Sequence, residues 1–337
     1  MALFRRRSGG ETGQDRAGWF GFGRRAAEPS AAAPRLDPAL GDESVRLMLG
    51  QARAGDWAAL GPALAGLDGA ELSGVVGAIA DVPGVEEWTA RALAERPEDT
   101  LALLLSGARH VTWAWEARTG ARAKQVSEDQ WRVFHERLEV AEEQLLEVAE
   151  REPSWLAPWF YLQISARGAS LPPEAATCRF EAAVRRVPGH PASHRQRLQQ
   201  LCAKWGGSHE EMHAFARSSM LAAPEGSQLG ELVALAHLER WLDLPDGEDR
   251  AYLASPEVVA ELQEAAFRSV LHPDFVPVRG WQGPFNTFAM VFSLADQRRT
   301  ARLLFDALDG MVTEAPWHYL SGDPVKAFRS HRDRCAS

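Results

Sequence analysis

The chain has 337 residues, 45% of them apolar and 25% charged, with a net charge of −9, which is enough apolar mass for a sizeable core. That composition excludes collagen, mucin and full disorder, and three Cys cannot staple a chain of this size. No apolar run is long enough for a membrane span, and none follows Arg5, Arg6 and Arg7 as a secretory signal would require, so a cytoplasmic protein is expected.

Residues 1–36 read as a disordered leader rich in Arg, Gly, Ala and Pro. Its first 35 residues hold seven Arg against three acidic residues, so the body is more acidic than the whole chain. An acidic body repels phosphate backbones, which argues against a nucleic-acid-binding core. Within the leader, Trp19, Phe20 and Phe22 form a cluster with the look of a docking peptide.

From Asp37 onward the chain is rich in Ala, Leu, Glu and Arg, with two Ile and little Thr. Such side chains lose little freedom in a helix, and no period-2 run suggests a strand. The fold class is all-α, expected as one helical repeat domain over 37–337. Helices are predicted near 43–54, 56–66, 70–80, 84–96, 98–116, 127–151, 154–167, 173–187, 190–204, 208–223, 226–242, 255–271, 284–295, 297–314 and 323–334. In the sixth, Trp131, Phe134, Leu138, Ala141, Leu145 and Val148 fall on one face and the Glu residues on the other.

Proline punctuates these helices at Pro97, Pro153, Pro188, Pro224 and Pro273. The inner three are 35 and 36 residues apart, near one helical hairpin repeat of ~34 residues. The outer spacings, 56 and 49, imply insertions near 118–127 and 244–255. This arrangement resembles degenerate tetratricopeptide-like repeat proteins, which implies an α-solenoid of stacked antiparallel hairpins. Lys204-Trp205-Gly206-Gly207-Ser208, followed by Phe215, Ala216 and Arg217, is also similar to a stretch in a group of uncharacterised bacterial helical repeat proteins. That resemblance covers about residues 140–240 and implies fold, with no activity to carry over. Physically, both glycines can close a helix in the left-handed conformation, Ser208 and Glu211 form a capping box, and Trp205 wedges between hairpins.

His209-Glu210-Glu211-Met212-His213 matches H-E-x-x-H, in which two His one turn apart bind Zn²⁺ and the Glu serves as base. A third ligand would come from Glu231 or Glu239 on the next helix. Against this zinc-hydrolase reading, the N-cap and helix dipole already account for both Glu residues. His190 and His194 share another helix face near Arg197 as a weaker metal or anion candidate. Cys178 and Cys202 read as small core residues, and Cys335 as part of a frayed end. No phosphate-binding loop, nucleotide fingerprint, nucleophile elbow or aspartate-rich diphosphate motif occurs, and no cofactor is called for.

The leading expectation is a non-enzymatic scaffold or adaptor that binds a protein or peptide on a concave helical face. The first helices of successive hairpins, 154–167, 190–204 and 226–242, would line that groove. They would present Gln163, Arg167, His194, Arg197 and Lys204, with Glu231 or Arg240, as a basic strip for an acidic peptide or C-terminal carboxylate. Trp205, and Trp281 in the Gly- and Pro-rich loop Phe275–Phe285, are the aromatic candidates. The alternatives are the zinc hydrolase and an adaptor tethered to an anionic surface by the Arg-rich leader.

Overall fold

The computed structural model describes residues 32–119 and 125–336. Sixteen α-helices account for most of them. The first five are α1 (Glu43–Ala54), α2 (Trp57–Ala65), α3 (Gly69–Ala80), α4 (Val85–Glu95) and α5 (Thr100–Arg118). Next come α6 (Glu128–Arg151), α7 (Ala157–Gly168), α8 (Pro173–Arg186), α9 (Pro191–Gln200), α10 (His209–Ala222) and α11 (Glu231–Leu242). The last five are α12 (Glu248–Leu253), α13 (Pro256–Phe267), α14 (Gln282–Leu294), α15 (Arg298–Leu308) and α16 (Pro324–Ala336). The fold is all-α, and every predicted helix is present.

The helix starts follow from side-chain chemistry. Asp42, Asp56, Asp68, Asp99, Ser127, Ser208 and Ser255 each accept a backbone N–H of the first turn. Ser127 and Gln130 form a full capping box. At α10 the expected box is altered: the Ser208 hydroxyl accepts the Glu211 N–H at 3.1 Å and donates to the Glu211 carboxylate.

Two departures concern elements. The stretch 244–255 contains a short helix, α12, that the sequence did not reveal. The helix expected over 297–314 stops at Leu308, because Asp309 and Gly310 turn left-handed (φ 46° and 74°). The chain then enters a two-residue strand, β2 (Met311–Val312), paired in parallel with β1 (Arg35–Leu36). Residues 1–31 of the expected leader lie outside the described residues. Its boundary at residue 36 moves back, since Pro34 is buried and residues 32–36 are held by the far end of the chain. The Arg35 N–H donates to the Gly310 carbonyl at 2.9 Å, and Arg332 Nη1 donates to the Ala32 carbonyl at 2.9 Å.

Helices pair along the sequence, α5 with α6, α7 with α8 and α14 with α15. Helices further apart in the chain also pack on one another, α3 on α7, α7 on α9, α9 on α11 and α11 on α14. Helix α5 lies so close to α6 that a Cβ on Gly107 would sit 2.8 Å from Leu145. The buried apolar side chains form one core over α1–α7, another from α9 to α16, and a small cluster of Ala114, Phe134 and Leu138 between α5 and α6. Cys202 and Cys335 are buried; Cys178, expected in a core, is exposed.

Candidate functional site

The helices expected to line a groove do pack in succession, but their polar residues are not laid out to solvent. Gln163 and His194 are buried, and the Gln163 amide donates weakly to the Trp159 carbonyl at 3.5 Å. His194 Nδ1 lies 2.9 Å from the His190 carbonyl, its ring meets Phe180 edge-on and stacks at 6.1 Å on Phe215, and burial lowers its pKa. Arg167 donates to Gln196 at 2.7 Å and sits over Trp115 and Trp205, with burial pulling its pKa down to about 10. Lys204 pairs with the buried Glu239 at 2.7 Å. Arg197 is half-buried, and burial lowers its pKa. The expected basic strip is therefore largely consumed within the fold. Trp205 is only half-buried, lodged edge-on against Trp115 between Arg118 and Arg167.

The H-E-x-x-H residues part company. His209 turns to Asp243, 3.1 Å away, and Glu210 is exposed on another face of α10. Neither expected third ligand reaches His213. Glu231 is buried between Arg195 (2.8 Å) and the Thr287 hydroxyl (2.7 Å), while Glu239 accepts from Lys204 and Gln199. Helix α11 supplies His237 instead, its ring edge-on to His213 at 4.7 Å. Positions 237 and 239 are two apart on a helix and so point to opposite sides. His237 Nε2 lies 3.2 Å from Glu261 Oε2 on α13, and its Nδ1 lies 2.7 Å from the Tyr252 hydroxyl at the end of α12. Burial holds both imidazoles at about 4; on His213, His237, His209 and Arg240 add to the lowering while Glu261 opposes it, and both rings are neutral near pH 7. His213, His237 and Glu261 each offer a donor atom within 4.8 Å of the other two.

A second feature lies where the two cores meet. A cleft of about 690 Å³ is walled by residues 38–45, α3, the start of α9 and residues 277–282. Leu40, Val45, Val75, Ala78, Val278 and Trp281 give it an apolar lining. Of the predicted candidates, Trp281 and His190 line it, Trp281 half-buried and edge-on to Phe285 at 4.9 Å. Arg279 closes one rim, bound to Asp42 at 2.9 Å and Glu71 at 3.3 Å, and Gln282 donates to the Leu40 carbonyl at 2.7 Å. His190 lies in the wall. Its Nδ1 accepts the Ser193 N–H at 3.2 Å, which leaves Nε2 protonated to donate to the Ser73 hydroxyl at 3.2 Å. Burial holds it at about 4.

No family model, no curated protein and no solved structure matches this chain. Function is therefore read from these residues.

Sequence reasoning missed His237, Glu261 and the cleft. A His one hairpin along from His213 was the available signal for the first. For the cleft there was no local signal, because its walls come from residues more than 200 positions apart.

Proposed function

We propose that the chain is a non-enzymatic interaction module, a degenerate tetratricopeptide-like array of helical hairpins that receives a short segment of a protein partner in the cleft beside Trp281. The observation that carries this is the cleft's mixture of apolar floor and acidic rim. Val278, 56% exposed, leaves apolar surface open at the mouth. Around it stand the carboxylates of Asp42, Asp68 and Glu71, against Arg279 and an Arg195 already neutralised by Glu231. The favoured occupant is a segment with an apolar anchor and a basic flank, the opposite charge to the one the sequence suggested. Enclosure of a few side chains in such a cleft is enough for anchoring, while the rim carries selectivity.

Selection of random peptides on the purified chain tests the reading. The expected consensus is apolar-basic, and its members should lose at least tenfold in affinity on Trp281→Ala and on Val278→Asp. The second variant changes an exposed side chain and leaves the fold intact. Selected peptides that bind both variants as tightly as the native chain would overturn the assignment, as would an acidic consensus.

A further inference from the structure

We propose that His213, His237 and Glu261 form a binding site for one borderline divalent transition-metal ion of the zinc class, pinning α10, α11 and α13 together. Two imidazoles and a carboxylate are the ligand set such an ion takes, with a water in the fourth position. Hard ions such as Mg²⁺ and Ca²⁺ want more oxygens than this cluster offers.

The geometry is close to what binding needs. Tetrahedral coordination at ~2.1 Å places donors roughly 3.4 Å apart. The three donor atoms already lie within 4.8 Å of each other, and His237 Nε2 stands 3.2 Å from Glu261. His237 and Glu261 are already in reach of a shared ion, so the remaining closure, up to about 1.4 Å, involves His213, and the Glu261 side chain, 49% exposed, has room to follow. The same exposure gives the ion a path from solvent.

Two further details point to a ligand. Among the described residues, His213 has no hydrogen-bond partner although it faces a buried imidazole. His237 has an outer support of the kind that metal-bound imidazoles carry. The Tyr252 hydroxyl oxygen can accept a hydrogen bond from Nδ1–H, which fixes the ring and leaves Nε2 bare for the ion. The same hydroxyl can donate instead when Nε2 is turned to Glu261, so the site is served in both states.

This set differs from the H-E-x-x-H reading, and one experiment separates them. Tag-free full-length protein is stripped with chelator, then titrated with Co²⁺ and, in competition with a chromophoric chelator, with Zn²⁺. One ion per chain is expected, with the d–d absorption of four- or five-coordinate Co²⁺ and a raised thermal midpoint that Mg²⁺ does not reproduce. Glu261→Gln and Tyr252→Phe should each weaken binding 10- to 100-fold, and His213→Gln with His237→Gln should abolish it. His209→Gln should leave it unchanged, since His209 is turned to Asp243. Failure of the native chain to bind stoichiometrically would overturn the site. So would native affinity in Glu261→Gln, a half-exposed change that does not threaten folding. Loss on His209→Gln with retention in Glu261→Gln would restore the helix-borne pair instead.

Discussion

His190 shows how a single side chain ties the two halves together and at what cost. It is buried between α3 and α9 and neutral, with its pKa held at about 4 by burial first, and then by Arg195 and His194, while Asp68 pulls the other way. An unfolded His titrates near 6.5. Between those values the unfolded chain takes up a proton that the folded chain refuses, so stability is full above about pH 6.5 and declines as pH falls toward 4. His213, His237 and His331, also held at about 4 by burial, add to the decline, whereas Asp81, raised by burial, opposes it. His190→Asn should make the fall of the urea midpoint between pH 7 and 4.5 shallower without abolishing it, and an unchanged slope would show that His190 does not contribute. At this scale the sequence was partly legible. H-E-x-x-H drew attention to His213 and to the next helix along, but helical position alone could not say which α11 side chain would face it. Arg109 was not visible at all: it is buried on α5 with Glu86 at 2.7 Å, Glu116 at 2.6 Å and the Ala80 carbonyl at 3.0 Å. Nothing local distinguishes such an arginine from a solvated one.

Among the elements, the turn between α9 and α10 repays comparison of its two glycines. The sequence assigns both to left-handed backbone, but only Gly206 adopts it, with φ 92° and open space around its α-carbon. Gly207 is required for a different reason: a Cβ there would sit 2.2 Å from the Leu201 carbonyl oxygen, which is backbone and cannot move aside. Gly206→Ala should therefore cost ~1–2 kcal/mol from strain alone, and Gly207→Ala about 3 kcal/mol or more, as local chain displacement replaces strain. Denaturant melts of the two variants check the order, and equal costs would contradict it. Helix boundaries were legible because caps and prolines act within a turn of the site they mark. The end of α15 was not, because apolar spacing continues through Met311 and Val312 into a strand whose partner is far away in sequence.

The whole molecule departs from an open row of hairpins in that its described ends meet. Stability in an open array is a sum of neighbour terms, so damage stays near its source. Here β1 and β2, the Arg279 ion pairs and the Gln282 bond join residues 35–71 to residues 279–312. Gly310 sits at the junction with φ 74°, and a Cβ on it would come 2.9 Å from the Ala33 carbonyl oxygen. Gly310→Ala should cost about 2 kcal/mol and speed amide exchange in α1 as well as in α14 and α15. Faster exchange confined to the C-terminal helices would show that the ends are not coupled.

That junction also has a consequence in time. When Arg35 and Leu36 are made, Met311 and Val312 do not yet exist, and neither does the segment carrying Trp281. At ~5–20 residues per second, the missing wall follows on the order of tens of seconds later. The first core must stand alone through that interval with its strand unpaired and the cleft lacking one side. A segment that requires both walls, as the proposed partner would, is held only once residues 277–282 have been made, so its binding would report synthesis past that wall.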